Sequence, residues 1–234
     1  MNLPPFPTPN DLSEAARIQN ELRQRVQVAG DPARVRYLAA LDASHPTRFS
    51  RQPGPSVAVA VLWDRRENRV VEVAQARLDA DGLFPYVPGF LSFREAPSYL
   101  AALARLSRPP ELLLVDGQGI AHPRGLGIAA HLGVHLDLPA IGVAKSLLYG
   151  RPQGELPPQA GSAIPLLDRR GQPIGYVYRS RTGTRPLYLS PGHRVGLAES
   201  LELVRSLPTK FRLLEPLRTA HLEAGGARRA SAGG

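Results

Sequence analysis

Residues 111–131, ELLLVDGQGIAHPRGLGIAAH, carry a complete strand–turn–helix pattern. Four apolar residues at 112–115 lie between charge and glycine, which is typical of a strand buried on both faces. Asp116 closes the run, and a turn with two glycines leads to a helix predicted over 124–136. Ligands of open α/β sheets bind just beyond the carboxyl ends of strands, so Asp116 is either a site residue or a cap for the next helix.

The composition predicts a soluble protein with a polyanionic partner. The chain has 234 residues, 43% of them hydrophobic, and no apolar run approaches the ~20 residues of a membrane span. It begins without a signal-peptide pattern and has no cysteine, so we expect a cytoplasmic location and exclude thiolate and zinc–sulfur sites. A net charge of +9 favours nucleic acid as the partner, although only two of the 29 basic residues are lysines, which also fits an arginine-rich proteome.

The order of periodic segments predicts one α/β domain. We expect a flexible proline-rich arm over 1–9, a single folded domain over 10–223 and a disordered tail over 224–234. Antiparallel strands come first, and alternating helices and strands follow, which favours a mixed central sheet flanked by helices, as in the ribonuclease H-like fold. The predicted strands are 35–41, 57–63, 70–76, 112–115, 140–143, 174–178 and 187–189. The other predicted helices run from 11 to near 30, from 92 onward and from after 191 to 206, and 151–162 is a predicted loop.

Two aspartates follow predicted strands that are far apart in the chain, Asp42 and Asp116. If the two strands are neighbours, the carboxylates converge at one edge of the sheet and repel each other. A divalent cation relieves that repulsion, and Mg²⁺ suits a few carboxylates completed by waters and a substrate phosphate. Such a metal can polarise a scissile phosphodiester and supply hydroxide as the nucleophile.

Three further residues have both a chemical and a structural interpretation. Glu95 closes an S-x-x-E capping box that begins at Ser92, or it is a third carboxylate for the same metal. Lys145 follows a predicted strand and either stabilises charge on a phosphate or is an ordinary surface lysine. Tyr86 lies between two prolines, where a rigid loop either pushes its ring into a base stack or packs it at a turn.

Together these segments resemble the endonuclease V family of deoxyinosine-directed DNA repair nucleases, over about residues 10–222 and in family order. The two longest matching blocks are PYVPGFLSFRE at 85–95 and VDGQGIAHPRGLGIAAHLG at 115–133. The shorter blocks are ALDAS around Asp42, PAIGVAKSLLYG at 139–150, PLLDRRGQPIGY at 165–176, LSPGHRV at 189–195 and LEPLRTAH at 214–221. The chain departs from the family pattern at Ala40, where glycine is frequent, and in LEPLRTAH, where many members read PEPTR.

The resemblance implies a ribonuclease H-like fold, a requirement for Mg²⁺, for which Mn²⁺ can substitute, and DNA containing deoxyinosine or other deaminated bases as the substrate. The implied reaction hydrolyses the second phosphodiester bond 3′ to the lesion and leaves 3′-hydroxyl and 5′-phosphate ends. The implied catalytic residues are Asp42, Glu95, Asp116 and Lys145, and the implied metal ligands are Asp42, Asp116, Glu95 and His221. The implied DNA wedge is Tyr86, and the implied lesion pocket contains Leu91, Gly117, His122 and Gly142.

The sequence leaves three alternative functions to compare. A non-catalytic, arginine-rich nucleic-acid-binding protein would bind in a salt-sensitive manner without metal-dependent cleavage. An inosine-specific endoribonuclease would use the same site on RNA. A junction resolvase works as a symmetric dimer, and because no segment indicates a dimer helix, we expect a monomer instead.

Overall fold

The computed structural model describes residues 3–45, 55–79 and 84–232, with side chains described as far as residue 230. In chain order the elements are α1 (Leu12–Arg23), β1 (Tyr37–Ser44), β2 (Ser56–Asp64), β3 (Arg69–Leu78), α2 (Leu91–Ala104), β4 (Leu112–Val115), α3 (Ile128–Leu136), β5 (Ala140–Ala144), β6 (Arg151–Pro152), β7 (Ala163–Leu167), β8 (Pro173–Tyr178), β9 (Leu187–His193), α4 (Leu197–Ser206) and α5 (Glu215–Ala232).

The described strands form one mixed sheet in the order β3-β2-β1-β4-β5-β9-β8-β7-β6. The first three strands are the predicted antiparallel meander, and β1 pairs with β4, and β4 with β5, in parallel. From β5 onward the pairs are antiparallel. The predicted fold class, a ribonuclease H-like mixed sheet flanked by helices, is confirmed. Within the described ranges, no helix has the length and apolar character needed to cross a membrane.

Side-chain alternation along the central strands buries both faces of the sheet. In β1, Leu38 and Ala40 pack with α4 and α5, whereas Ala39 and Leu41 pack with α2 and α3. The same alternation holds in β4 and β5. Because successive side chains of a strand point to opposite faces, the next positions on the α5 side are 42, 116 and 145.

The first helix is shorter than predicted. It begins with Asp11 as its N-cap but ends at Arg23 instead of near residue 30. The chain leaves the helix because the Gln27 carbonyl accepts a hydrogen bond from the backbone N–H of Arg194 at 2.7 Å. A long-range pairing therefore overrides the helical pattern.

Several later boundaries also differ from the predictions. The helix predicted over 124–136 begins at Ile128, and the predicted loop 151–162 contains the two-residue strand β6. The last predicted helix begins at Leu197 because β9 continues to His193. Strand β7 was not predicted, since its run is only five residues long and contains a proline.

Both termini are more structured than predicted. Residues 3–9 are extended, but the Phe6 ring packs against His131 with their centroids 4.5 Å apart. Residues 224–232 form the end of α5, with Ala224 buried against the sheet. Their glycines indicated disorder, yet the alanines favour helix and Arg228 Nε donates to the Ser44 hydroxyl at 2.8 Å. The outermost residues of both predicted tails lie outside the described ranges.

His131 is a buried histidine that makes stability depend on pH. Burial lowers its pKa to about 3, so at intermediate pH the unfolded chain binds a proton that the folded chain does not. The free energy of unfolding therefore falls as the pH falls from 6.5 toward 3. Between pH 7 and pH 5, the free energy of unfolding of a His131→Gln variant should fall by about 2 kcal/mol less than that of the wild type. Urea unfolding at the two pH values measures this difference. Equal losses for the two proteins would contradict this expectation.

Candidate active site

The parallel pairing of β1 with β4 brings Asp42 and Asp116 together. Leu41 pairs with Val115, and the backbone N–H of Asp116 donates to the Leu41 carbonyl at 2.9 Å. Alternation then directs both carboxylates to the face of the sheet that α5 covers. The predicted convergence of the two aspartates is confirmed. Both carboxylates lie on one face of the sheet, as a cation shared by two carboxylates requires.

His221 of α5 and Lys145 after β5 join Asp42 and Asp116 in a cluster of four residues, which we call the acidic cluster. His221 Nδ1 lies 2.6 Å from Asp42 Oδ2. Lys145 Nζ contacts the Asp116 carboxylate and lies 3.8 Å from Asp42 Oδ2 and 3.3 Å from His221 Nδ1. One ligand atom each of Asp42, Asp116 and His221 lies within 4.8 Å of the other two, so these three residues could hold a metal ion.

The electrostatics of this cluster suit a divalent cation. Burial, and next the Asp42 charge, raise the pKa of Asp116 to about 6, while Lys145 opposes the increase. The hydrogen bond to Asp42 raises the pKa of His221. A bound cation would offset the carboxylate repulsion and would compete with the proton on His221 Nδ1. The two carboxylate oxygens are of the kind that Mg²⁺ and Mn²⁺ prefer, whereas the imidazole nitrogen is a ligand more typical of transition metals.

Glu95 lies outside this metal-ligand group. Its carboxylate is 2.8 Å from His45 Nε2 and accepts a hydrogen bond from the Tyr99 hydroxyl at 3.4 Å. Burial raises the pKa of Tyr99, and the charges of Glu95, Asp42 and Asp116 add to that effect. Glu95 therefore belongs to the same acidic region without being a third carboxylate ligand in the observed arrangement.

The predicted capping box at Ser92 is wrong. Helix α2 begins at Leu91, and Phe90 precedes it without a side-chain cap. The Ser92 hydroxyl is buried and lies 3.0 Å from His131 Nδ1. Ser92 therefore joins α2 to α3, and Glu95 is not needed as a capping partner.

A cavity of about 330 Å³ opens beside the four-residue cluster, and Asp116 and Lys145 form part of its wall. Three of the four predicted pocket residues line it, namely Leu91, Gly117 and His122. Tyr86, the predicted wedge, is at its rim and is 71% exposed. Other residues that line the cavity were not predicted from the sequence, among them Gln19, Gln118, Leu126 and Ile128.

Gly142 does not line this cavity, contrary to the prediction. It lies beneath the turn that follows Asp116, where a Cβ atom would be 2.6 Å from the Gly117 carbonyl oxygen. The absence of a side chain at Gly142 therefore lets the turn pack directly onto β5. Gly142 therefore supports the backbone that lines the cavity.

One carbonyl anchors the loop that carries Tyr86. The Gly89 oxygen accepts hydrogen bonds from Arg124 at 2.6 Å and Gln19 at 3.1 Å, and it lies 3.0 Å from His122 Nε2. Burial, together with the Arg124 charge, lowers the pKa of His122 to about 4, so its ring is neutral at pH 7. The His122 Nδ1 then accepts from the Arg124 backbone N–H, which leaves Nε2–H to donate to Gly89.

Known proteins are similar to this chain both in sequence and in architecture. The family model of Endonuclease V matches residues 20–222. The chain belongs to the endonuclease V family. An Endonuclease V of Thermus thermophilus is 61% identical to it over 230 residues, covering 98% of this chain and 99% of that relative. The predicted resemblance is therefore confirmed, and the protein is an endonuclease V-type nuclease.

Solved endonuclease V structures show the same fold. The Streptomyces avermitilis Endonuclease V has a TM-score of 0.85 at 36% identity and covers 98% of both chains. The Ciona intestinalis Endonuclease V, solved in complex with a 24mer DNA containing an inosine followed by a ribo-adenosine, has a TM-score of 0.78 at 23% identity. That match covers 94% of this chain and 98% of the Ciona chain and shows a common fold. The endonuclease V family match ends at residue 222, so the last part of α5 lies beyond it.

Proposed function

We propose that this endonuclease V nicks DNA near deoxyinosine and other deaminated bases. The proposed reaction hydrolyses the second phosphodiester bond 3′ to the lesion and leaves 3′-hydroxyl and 5′-phosphate ends. The observation that carries the proposal is a shared wall: Asp116 and Lys145 belong both to the acidic cluster and to the 330 Å³ cavity. A base held in the cavity therefore brings the backbone of its own strand to the carboxylates.

The cavity has the properties expected of a pocket for an everted base. Leu91, Leu126 and Ile128 supply apolar surface, and Gly117 presents backbone without a side chain. The neutral His122 holds the adjoining loop through Gly89 and adds no charge to the wall. Extrusion of a base from the duplex costs a few kcal/mol and least for a damaged or mispaired base, which favours a deaminated base over a normal one. The inosine-containing DNA in the Ciona complex supports this class of substrate.

The residues of the acidic cluster have distinct proposed roles. Asp42, Asp116 and His221 would hold Mg²⁺, or Mn²⁺ in its place. When bound, the cation supplies Lewis-acid polarisation of the scissile phosphate and a water nucleophile at neutral pH. The Lys145 ammonium, between the two aspartates, stabilises the charge that develops on the phosphate. We also propose that Glu95 is an acidic residue of this site. Its charge raises the pKa of the Tyr99 hydroxyl together with the charges of both aspartates.

The decisive experiment uses an end-labelled duplex with a single deoxyinosine and a matched duplex with adenine at that position. We expect one nick, placed two bonds 3′ to the lesion, only in the inosine duplex and only with Mg²⁺ or Mn²⁺. Salt-sensitive binding with no nick in either metal would contradict the proposal and favour a non-catalytic binding protein. An RNA strand with a single inosine, tested in parallel, distinguishes the endoribonuclease alternative: preferential cleavage of that RNA would overturn the DNA assignment.

We expect Tyr86→Ala to lower kcat/KM on the inosine duplex by roughly tenfold, because base–aromatic stacking contributes about 1–3 kcal/mol. The melting temperature should change little, since an exposed side chain contributes little to stability. Steady-state nicking of inosine duplex and inosine single strand measures the effect, which should be smaller on the single strand because no duplex must be opened. Tyr86→Phe keeps the ring and serves as the matched control. If Tyr86→Ala leaves the ratio of kcat/KM between the inosine duplex and the inosine single strand unchanged, the wedge role is refuted.

A further inference from the structure

A second cavity borders the acidic cluster at His221, whereas the first cavity borders it at Asp116 and Lys145. The second cavity has a volume of about 250 Å³ and lies between the end of β1 and the C-terminal half of α5. Its polar lining consists of Ser44, His221, Arg228 and Arg229. Because His221 also contacts Asp42, the acidic cluster connects this basic groove to the 330 Å³ cavity.

We infer that the basic groove binds a backbone phosphate of the cleaved strand on the 3′ side of the scissile bond. This inference rests on the proposed function, in which the base occupies the first cavity and the cleaved bond lies at the acidic cluster. Cleavage 3′ to the base means that the strand runs in the 3′ direction from the first cavity to the cluster. Continued in that direction, the strand next meets the basic groove.

The chemistry of the groove matches a phosphodiester. Arg228 Nε donates to the Ser44 hydroxyl at 2.8 Å, which orients the guanidinium without neutralising its charge. The planar guanidinium fork suits phosphate oxygens, and Arg229 adds a second positive charge at the exposed edge. Among the described residues that line this groove none is acidic, so no carboxylate there would repel a phosphate.

Arg228 could have a purely structural effect, because its bond to Ser44 joins α5 to β1. Two measurements distinguish the two roles. Loss of a phosphate contact reduces the slope of log affinity against log salt by about one, whereas a weaker helix contact does not. A phosphate contact also makes affinity depend on the nucleotides 3′ of the cleaved bond, and a helix contact does not.

The test measures binding of an inosine duplex by Arg228→Ala, made in an Asp116→Asn background so that the strand stays intact. Relative to that background, we expect about tenfold weaker binding and a salt slope smaller by about one. On a duplex whose inosine strand stops at the scissile position, the background protein should also lose about tenfold, and Arg228→Ala should lose nothing further. If Arg228→Ala does not fold, Arg229→Ala carries the same test, because it leaves the Arg228–Ser44 bond intact.

The matched control is Arg66→Ala, which removes an exposed arginine from the β2–β3 turn. This turn is at the opposite end of β1, since Asp64 pairs with Tyr37, about 17 Å along the strand from Asp42. In the Asp116→Asn background we expect its salt slope and its response to the shortened strand to equal those of the background protein. In the wild-type background its nicking rate should be unchanged. An unchanged salt slope in Arg228→Ala, or equal losses on shortening with and without Arg228, would overturn the inference. Absence of inosine preference in the wild type would instead overturn the proposed function.

Discussion

Replacing Asp116 with asparagine should lower the nicking rate on the order of 10³-fold or more while leaving most of the DNA affinity. Asparagine keeps the shape of the side chain but removes one of the two carboxylates that would hold the cation, and it removes the negative charge that Lys145 contacts. DNA affinity should remain, because arginine–phosphate contacts elsewhere dominate binding. Single-turnover nicking in Mg²⁺ and a binding titration without added metal measure the two effects separately.

A melting experiment tests whether Asp116 acts as a ligand, and a second variant serves as a control for nicking. Mn²⁺ should raise the melting temperature of the wild type and have little effect on that of Asp116→Asn, because only a folded site binds the ion. The control is Asp137→Asn, at an exposed, left-handed position where asparagine is well tolerated. It should nick at the wild-type rate. Nicking by Asp116→Asn at the rate of this control would refute the assignment of the acidic cluster.

The convergence of the two aspartates was predicted on the condition that their strands are neighbours, and the rest of that prediction depends on local rules. The run 112–115 has the pattern typical of a buried strand, and residues 35–41 ahead of Asp42 were also predicted as a strand. Once β1 and β4 are neighbours, the two-residue period of a strand directs residues 42, 116 and 145 to one face. The mixed topology followed from the order of strand and helix patterns, which is also a local property.

Other parts of the site depend on contacts that local patterns do not show. The tail of α5 contains two adjacent glycines, and its sequence pattern indicates disorder. The structure has a helix there, in which Ala224 is buried and Arg228 is hydrogen-bonded to Ser44. The Gly89 carbonyl accepts a hydrogen bond from Gln19, which lies 70 positions away in the chain, so no spacing rule could identify this contact. Gly142 matched a pocket position, but only the structure shows that the turn after Asp116 covers it.

A Gly119→Ala substitution should destabilise the protein by about 3 kcal/mol, because no space exists for one more carbon. A methyl group there would lie 2.7 Å from the Ser190 carbonyl oxygen and closer still to that of Pro191, and neither backbone atom can move as a flexible side chain would. The Gly119 N–H also donates to the Ser190 hydroxyl at 2.8 Å, so displacement of the turn breaks this bond. For a chain of this size the melting temperature should fall by roughly 6–12 °C.

The same substitution at Gly226 is the matched control. Gly226 is in α5, and a Cβ atom there meets nothing within 4 Å. Alanine at this position should therefore leave stability unchanged or raise it by up to about 1 kcal/mol through its helix propensity. Because Gly119 belongs to the turn directly after Asp116, its alanine variant should also lose nicking activity at temperatures where it is still folded. If the two variants melt at the same temperature, the turn does not depend on close backbone packing, and the positioning of Asp116 needs another explanation.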